Sequence, residues 1–397
     1  MSNYKSIYDK LNNWVISQNF KSYDLCDVKG TKFFLNLNSL RQSNFKLGKF
    51  IAYPFNQIAE KKSDIFRKIM KIEKRTYPQA QALIASSYLN IYKKYNEVSY
   101  LRKAESIAEW LIQNRNKSFD NFCWGQPYDW YSRKVIKKFT PRTTVSSQSA
   151  SFFLDLFEVT NNNNFLEVAI SVCNFFIDDL NWDEDADKHI CFSYTTEDNY
   201  HIHNANMLAA AVLIRTWQHS KIKKFRDFGL RAVNFTLKHQ NTDGSWFYWA
   251  PPDKVVGKID HYHTGFVLES LHIILEILQD DKIKQAFHKG LEYYNNHLFT
   301  KNLIPKYNNK NLYPIDIQSL AQAIITYTLL SSQDHQYFEK AKKILNWTID
   351  KMYDSDGYFY YRIYANNKID KSAYIRWAES WMMRALSLII WKESDEY

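Results

Sequence analysis

The sequence predicts an all-α protein, an (α/α)6 toroid of helical hairpins with short β-hairpins on one rim. The first observation is a repeat. Aromatic-rich turn segments follow amphipathic helices at intervals of 54 to 68 residues, marked by Trp124, Phe192, Trp246, Pro305 and Phe359. The second observation is that a helix that is apolar on nearly all sides comes after these segments. The third is the scarcity of glycine (9) and proline (8), which disfavours an all-β sandwich or barrel with its many tight turns.

The repeating unit is a pair of helices that differ in character. Segments 221–239, 282–297 and 336–351 have a charged face and an apolar stripe, which is typical of outer helices. The apolar helices begin near residues 203, 263, 316 and 376 and are predicted to form the inner ring. Six units fit into 397 residues. An open solenoid with capped ends is the alternative, but the aromatic loops before the inner helices favour a closed ring.

We divide the chain into an N-terminal helical segment, 1–75, and a catalytic toroid domain, 76–397. The N-terminal segment is basic, and we expect it to pack on the ring or to form part of it. Residues 46–75 contain nine basic and three acidic residues, with apolar residues at helical spacing. Such a stretch is either a solvated outer helix or a segment that lies peripherally on an anionic inner-membrane surface.

The net charge of the chain indicates which class of partner the protein binds. The net charge of +10 favours an anionic partner, here an acidic glycan or a nucleotide- or lipid-linked sugar. No nucleic-acid-binding module, P-loop, GxGxxG or GxSxG motif is present, so we predict neither nucleic-acid binding nor a cofactor. The four cysteines show no CxxC spacing, and there is no leader or long apolar run. We therefore expect a cytoplasmic protein, peripheral at the inner membrane if the basic segment binds lipid.

The predicted ring brings distant residues together. If the helix pairs alternate in direction, every inner helix begins on the same rim, and the residues at these starts converge on one funnel. Helix N-termini carry free N–H groups and the positive end of the helix dipole, which suit anionic ligands. Aromatic residues make up 17% of the chain, and many of them lie in the loops before the inner helices. Such rings line clefts as well as cores.

The loop 124–133, WGQPYDWYSR, combines aromatic rings with an acid and an arginine. Sugar rings present C–H faces that stack on aromatic side chains and hydroxyls that bond to charged groups. The alternative is that this loop only plugs the mouth of the ring. The substrate-binding candidates in this loop and in the next two units are Trp124, Tyr128, Asp129, Trp130, Arg133, Arg142, Asn204, Trp246 and Tyr262.

Histidines open two inner helices in a similar arrangement. His203 stands at one start, and one unit later the segment IDHYHTG contains Asp260 and His263. A carboxylate next to histidines suits general acid/base catalysis, so Asp260, His263 and His203 are candidate catalytic residues. Zinc ligation by His203, His261 or His263 with Asp260 is the alternative. No third ligand set and no HExxH motif accompanies them, so no metal is predicted.

The last units add polar residues to the same rim. In YPIDIQSLAQA, Asp316 is either a helix N-cap or a catalytic residue that forms a carboxylate pair with Asp260. In YIRWAESWMMRAL, the charged residues are either substrate ligands or members of a buried structural ion pair. The substrate-binding candidates in these units are Gln318, Arg376, Trp377 and Glu379.

Six motifs resemble, in the same order, a family of uncharacterised bacterial and archaeal proteins that accompany polysaccharide biosynthesis clusters and are labelled VpsJ-like. The motifs are WGQPYDWYSR, HNANMLAAAVL, HQNTDGSWFYW, IDHYHTGFVLESL, YPIDIQSLAQA and YIRWAESWMMRALSL. The resemblance covers roughly residues 80–391 and implies a helical toroid and a role in assembling capsule, exopolysaccharide or lipopolysaccharide. The family usually carries Tyr-Pro-Phe-Asp-Trp where this chain has Gln-Pro-Tyr-Asp-Trp at 126–130.

A more distant resemblance points to uronic-acid chemistry. The YHTG sequence and the Ser-x-x-Gln-Ala pattern at 319–323 are similar to the C-terminal helical domain of glucuronyl C5-epimerases. Ring-shaped unsaturated glucuronyl hydrolases and sugar 2-epimerases are similar in architecture only, which implies a fold and no particular reaction.

The sequence favours an enzyme that acts on an acidic glycan or activated sugar by cofactor-free acid/base chemistry. In a hydrolase- or lyase-like form, Asp260 or Asp316 protonates the glycosidic oxygen or activates water. In a uronyl C5-epimerase form, one of these groups removes the proton α to the carboxylate. Arg142 or Arg376 then holds that carboxylate, and Tyr262 returns the proton. The remaining alternative is a non-catalytic glycan-binding scaffold of the assembly machinery.

Overall fold

The computed structural model describes residues 3–43, 45–132, 134–253, 257 and 259–393. None of the helices in these ranges is both long and apolar enough to cross a membrane. Two π-helical turns, Phe175–Asp179 and Ile375–Glu379, adjoin α-helices. In chain order the α-helices are α1 (Asn3–Ser17), α2 (Lys32–Ser43), α3 (Phe45–Lys61), α4 (Ser63–Ile69), α5 (Pro78–Tyr95), α6 (Val98–Gln113), α7 (Thr143–Thr160), α8 (Asn163–Asn174), α9 (His203–Ser220), α10 (Lys223–Lys238), α11 (His261–Leu278), α12 (Asp281–His297), α13 (Ile317–Leu330), α14 (His335–Met352) and α15 (Ser380–Lys392).

Six helices form a closed inner ring. Helices α5, α7, α9, α11, α13 and α15 each contact the next, and α15 returns to contact α5. These helices are buried on most sides; in α13, residues from Ile317 to Thr328 are all inaccessible to solvent. The closed contact between the first and last inner helices confirms the predicted (α/α)6 toroid and excludes the open solenoid.

An outer helix packs against every inner helix. Helices α6, α8, α10, α12 and α14 cover α5, α7, α9, α11 and α13, respectively. The sixth outer helix is α1, which packs on α15. The N-terminal helix therefore completes the hairpin of the last inner helix. Tyr8, Leu11 and Val15 of α1 are fully buried in the same core as the inner helices.

One repeated turn explains where the inner helices end. Helices α5, α7, α9 and α11 are each followed by a residue in the left-handed conformation: Asn96, Asn161, Lys221 and Gln279. Each of these residues donates its backbone N–H to the carbonyl four residues earlier, which closes the helix. The outer helix begins two residues later. The pairs are therefore tight antiparallel hairpins, and these inner helices all begin on one rim.

Short strands occur on the rim, although not where two of the repeats predicted them. The strands are β1 (Trp130–Tyr131) with β2 (Val135–Ile136), β3 (Trp182–Glu184) with β4 (Ile190–Phe192), and β5 (Ile315–Asp316), β6 (Arg362–Ile363) and β7 (Ile369–Asp370) in one sheet. The predicted strand pairs in DGSWFY and DGYFYY are instead turns with single bridges. In the first, the Trp246 indole packs at Gly290 in the core and donates to the Thr236 carbonyl (3.0 Å). Because this indole is held in the core, the segment around Trp246 forms a turn and does not pair with another strand that the structure describes.

Helices α2–α4 form a small unit beside the rim. Val28, Phe34, Leu37, Ala52 and Ala59 are its buried core. The unit is joined to the ring through Arg67 of α4. The guanidinium of Arg67 donates to Asp27 and, at 3.4 Å, to the hydroxyl of Tyr374, just before the last inner helix. Some side chains of the basic stretch 46–75 lie outside the described residues.

Candidate active site

A cavity of about 630 Å³ lies between helices α2–α4 and the rim on which the inner helices begin. On the ring side, aromatic side chains dominate its wall: Trp130, Tyr262, Tyr307, Tyr361 and Trp377. Residues of the N-terminal unit, among them Cys26, Asn38 and Tyr53, line the other side. The volume is typical of sites for small ligands. The predicted funnel therefore exists and is partly roofed by the N-terminal helices.

Asp260 and His263 form a hydrogen-bonded dyad at the start of α11. Asp260 is the N-cap residue, and its Oδ1 accepts from the backbone N–H of His263 at 2.9 Å. Its Oδ2 lies 2.7 Å from Nδ1 of the same histidine. In the neutral tautomer that carries its proton on Nδ1, His263 donates to the carboxylate, and Nε2 keeps a lone pair. The two side chains are 24% and 22% exposed, so a ligand can reach them.

Two tyrosines contact this histidine. The ring centroids of Tyr248 and Tyr262 lie 4.4 and 4.1 Å from that of His263. Burial, followed by the charge of Asp260, raises the pKa of Tyr262 well above its usual value. Burial also raises the pKa of Tyr248, with smaller contributions from nearby acidic groups. Both phenols therefore keep their protons at neutral pH and can donate them.

Arg142 is a buried cation without a carboxylate partner among the described residues. Its guanidinium lies 5.3 Å from the ring of Tyr128 and 4.9 Å from that of Trp130, which lines the cavity. Its Nε is buried and has no hydrogen-bond partner in the described part of the chain. The charge of Arg142 acts on Tyr248, which links it to the dyad. An unpaired buried charge is costly, so this arrangement suits an anionic ligand.

Further polar atoms at the starts of inner helices lack partners. Asn204 Oδ1 on α9, Gln318 Oε1 on α13 and Trp377 Nε1 before α15 are buried and make no hydrogen bond to any described residue. Buried polar groups in proteins are nearly always satisfied. Asn204 faces a second, much smaller cavity of about 10 Å³ that is also lined by Asp260 and His263. These three atoms lie at the starts of inner helices, where they can bond to the hydroxyl groups of a ligand.

His203, predicted to be catalytic, lines the small cavity together with Asp260 and His263. It is buried, and its Nδ1 is 3.4 Å from the Thr236 hydroxyl on the outer helix α10. Burial, with repulsion from His239 and His201, lowers its pKa to about 3. His261 is similar: its Nδ1 is 3.5 Å from the Tyr294 hydroxyl, and burial lowers its pKa to about 3. Both imidazoles are neutral at pH 7, and a catalytic role of His203 stays a prediction.

Asp316 has no free carboxylate oxygen. Its Oδ1 accepts from the backbone N–H of Gln318 at 2.9 Å, and its Oδ2 lies 2.6 Å from Nε of Arg362. The side chain is fully buried. The structure thus corresponds to the N-cap alternative, and the predicted carboxylate pair with Asp260 is corrected. Asp316 still acts on the site electrostatically, because its charge contributes to raising the pKa of Tyr262.

Arg376 and Glu379 are engaged inside the protein. Arg376 Nε and Nη2 lie 2.5 and 2.9 Å from the carboxylate of Asp24, so the guanidinium is not free to hold a substrate carboxylate. Glu379 is completely buried and accepts from the Phe359 N–H at 3.0 Å. Burial raises its pKa well above the usual value. The prediction that these two residues bind substrate is corrected: their roles are structural.

Several residues of the predicted aromatic platform also have structural roles. The Trp124 indole donates to the Leu111 carbonyl at 2.9 Å within the core. Asp129 accepts from the Lys138 N–H at 2.7 Å and fixes the rim loop. Trp246 is anchored in the core and reaches only the small cavity. Arg133 lies outside the described residues. The members of the platform that lie beside the cavity are Tyr128 and Trp130, which flank Arg142.

Among the described residues, the side chains considered as zinc ligands do not form a group with metal-ligand spacing. In the described ranges, the group of side chains with metal-ligand spacing is Asp185, Asp187 and His189, in the β3–β4 turn. Lys238 Nζ lies 2.8 and 2.6 Å from the two carboxylates, which makes this group a surface ion-pair cluster. His263 and Asp260 are not part of it.

Sequence reasoning missed three contributors to the site. Asp24 binds Arg376, Arg362 binds Asp316, and Tyr248 contacts His263. A signal existed for one of them: Tyr248 belongs to the repeated motif DGSWFYW, in which only Trp246 was singled out. No local pattern marks Asp24 or Arg362, because their partners are remote in the sequence.

Solved structures with this fold include several carbohydrate-acting proteins. Cellobiose 2-epimerase from Bacillus thermoamylovorans is 10% identical, with a TM-score of 0.63 over 81% of this chain and 90% of its own. An unsaturated glucuronyl hydrolase specific for heparin is 12% identical, with a TM-score of 0.59 over 80% of this chain and 87% of its own. A polysaccharide lyase is 12% identical, with a TM-score of 0.56 over 85% of this chain and 95% of its own. At such low identity these likenesses show the toroid fold.

No protein-family model and no curated protein matches the chain. The resemblance to the VpsJ-like family therefore stays a prediction. What the fold and the site define together is an (α/α)6 toroid with an aromatic cavity and a histidine–aspartate dyad that contacts Tyr262 in the wall of that cavity.

Proposed function

We propose that this protein is an enzyme that acts on an acidic glycan or an activated acidic sugar by acid/base chemistry. One observation carries the proposal: the Asp260–His263 dyad and the buried, unpaired Arg142 each contact an aromatic residue in the wall of the same cavity, Tyr262 and Trp130, respectively. The dyad supplies a group that moves a proton, and the arginine supplies a partner for a carboxylate. Aromatic walls suit the C–H faces of sugar rings.

In this proposal His263 is the general base. Its Nδ1–H is held by Asp260 Oδ2 at 2.7 Å, so Nε2 is the nitrogen that accepts a proton. The same orienting role of a carboxylate behind a histidine is well established for other catalytic groups.

Arg142 would bind the carboxylate of a uronic acid. The acidity of the C–H bond next to that carboxylate rises when a guanidinium neutralises the charge that develops on its oxygens. His263 would take this proton. Tyr248 or Tyr262 would then either return a proton to the same carbon from the other face, which is epimerisation, or protonate the leaving glycosidic oxygen, which is elimination. Both reactions balance, because His263 takes one proton from the substrate and a tyrosine gives one proton to it.

Hydrolysis is less well supported than proton abstraction. A hydrolase requires two carboxyl groups that flank the glycosidic bond. Asp316 is buried with both oxygens engaged, which leaves Asp260 without the second carboxylate that the sequence suggested. Proteins with similar folds include sugar epimerases, a glucuronyl hydrolase and a lyase, and they favour sugar chemistry in general. A lyase or C5-epimerase therefore fits this chain best.

The biological setting is also part of the proposal. The ordered motifs of the VpsJ-like family favour a step in the biosynthesis of capsule, exopolysaccharide or lipopolysaccharide, carried out in the cytoplasm or at the inner membrane. The positive net charge agrees with an anionic glycan or nucleotide-linked substrate.

Mass spectrometry of purified protein incubated with uronate oligosaccharides distinguishes the reactions. Elimination splits the chain without adding water, hydrolysis adds one water, and epimerisation leaves the mass unchanged while altering the NMR spectrum. We expect one of the first and third outcomes with the wild type, and none with His263→Gln. The exposed His335 provides the matched control His335→Gln, which keeps activity. Binding without turnover, unchanged in His263→Gln, would instead support the glycan-binding scaffold.

A further inference from the structure

Helices α2–α4 leave an apolar surface uncovered. The described structure has thirteen exposed large hydrophobic side chains, and eight of them belong to these three short helices. Phe50 is 83% exposed and Ile69 is 71% exposed, values far above those of ordinary surface residues of their type. We call this set the apolar face; its members are Phe33, Leu40, Phe50, Tyr53, Phe55, Ile58, Ile65 and Ile69. Such a concentration marks an interaction surface.

The apolar face is continuous across helices. Ile65 and Ile69 are four residues apart on α4, and Phe50 and Tyr53 are three apart on α3, so each pair lies on one side of its helix. Phe33 of α2 contacts a ring of α3, with centroids 6.2 Å apart. The opposite sides of these helices form the small core of the unit, so the face cannot turn inward without exposing that core.

Basic side chains border the same face. Lys62, the N-cap residue of α4, and Lys68 within α4 are exposed and are close in sequence to Ile65 and Ile69. Lys71, two residues after the end of α4, is exposed as well. Apolar side chains framed by lysines are what an anionic lipid surface binds: the rings enter the headgroup region, and the ammonium groups stay with the phosphates.

We propose that the apolar face of α2–α4 binds an anionic membrane surface. A second copy of the chain is disfavoured as the occupant, because two equally basic faces repel one another. Tyr53 belongs to the face and also lines the large cavity, so membrane binding would bring the cavity mouth to the lipid headgroups. A lipid-linked sugar would then reach the site from the bilayer. The binding itself does not depend on which reaction the site catalyses.

Vesicle sedimentation tests this directly with the full-length protein. We expect it to pellet with vesicles of phosphatidylcholine and phosphatidylglycerol and not with phosphatidylcholine alone, and to be released by high salt. The double substitution Phe50→Glu/Ile69→Glu lowers the bound-to-free ratio about tenfold or more, because each apolar side chain contributes to insertion. Ile16 and Val98 are exposed on outer helices, so Ile16→Glu/Val98→Glu is the matched control that keeps binding.

Two results would overturn the proposal. The first is that the protein sediments equally with and without anionic lipid, or that Phe50→Glu/Ile69→Glu and Ile16→Glu/Val98→Glu lower vesicle binding equally. The second is a dimer that forms at high protein concentration without lipid and that Phe50→Glu/Ile69→Glu prevents. In that case a second copy of the chain, and not a membrane, would cover the apolar face. Circular dichroism establishes that the variants are folded. If the double variant does not fold, Lys62→Glu/Lys68→Glu is measured instead, and it must lower binding to anionic vesicles.

Discussion

Asp260 has two roles that can be separated chemically. One carboxylate oxygen caps α11, and the other orients the ring of His263. Asparagine caps helices about as well as aspartate, but its neutral amide neither attracts an imidazolium nor fixes the same tautomer.

Asp260→Asn is therefore expected to separate folding from activity. The free energy of unfolding should change by no more than about 0.5 kcal/mol, because the cap survives. Turnover should fall by about 100-fold or more, because the base loses its orienting charge. Urea denaturation and initial rates measure the two effects. Retained turnover would show that the dyad is not part of the reaction.

Arg142→Met tests the proposed carboxylate site. We expect KM for a uronate substrate to rise about tenfold or more, since charge-assisted hydrogen bonds contribute about 1.5–3 kcal/mol. The thermal midpoint should stay the same or rise, because the substitution removes a buried charge that has no carboxylate partner among the described residues. Arg102, exposed on α6, offers the control Arg102→Met. A marked drop in the midpoint would instead assign Arg142 to the framework.

At the scale of single residues, the sequence predicts which residues lie on the rim better than it predicts which side chains contact one another. The segment IDHYHTG places Asp260 and His263 three residues apart at a helix start, so their contact follows from local geometry. Arg376 and Asp24 are 352 residues apart, and nothing local to either residue announces the pair. For the same reason the sequence predicts a catalytic role for Asp316 and substrate binding by Arg376, although each is engaged by a side chain distant in the sequence.

At the scale of elements, the Asp24–Arg376 pair ties the segment after α1 to the last inner helix. Both side chains are buried, and removal of one partner leaves the other charge uncompensated. Asp24→Asn should lower the free energy of unfolding by about 3–5 kcal/mol. Asp350, which is 68% exposed, provides the control Asp350→Asn, with an expected change within about 0.5 kcal/mol. Urea unfolding of both variants checks this, and equal effects would contradict it.

Glu379 makes the free energy of unfolding depend on pH. Burial raises its pKa in the folded state above that of the unfolded chain, so folding favours the protonated form. Its stabilising contribution is complete below the unfolded pKa and is lost as pH rises toward the folded pKa. Glu379→Gln should therefore raise the free energy of unfolding at pH 7, with the gain shrinking as pH falls to about 4.5. A difference that does not vary with pH, measured by urea unfolding, would contradict this.

The helical ring could be predicted because its period is visible in the sequence. The hairpins repeat an apolar helix followed by an amphipathic helix, and this periodicity specifies the elements. The rim hairpins could not be placed. The segment around Trp246 is rich in aromatic residues, which are common in strands, yet the packing of its indole against Gly290 fixes it as a turn. Whether such a segment becomes a strand depends on a partner that the sequence does not identify.

At the scale of the whole molecule, the ring closes through its two ends. Helix α1 packs on α15, and the segment after α1 carries Asp24 to the rim, where the inner helices begin. The N-terminal unit then returns across the mouth and joins the ring through Arg67. The predicted division of the chain at residue 75 stays a prediction. The roof over the cavity depends on contacts between residues more than 300 positions apart.

The central claim is that His263 removes a proton next to a carboxylate held by Arg142. The most direct measurement uses a uronate oligosaccharide labelled with deuterium at C5 and follows transfer of the label to water. Release by the wild type and by His335→Gln, and at least about 100-fold slower release by His263→Gln, is the predicted result. Equal release by His263→Gln, or cleavage of the glycan with the C5 label retained, would contradict the account.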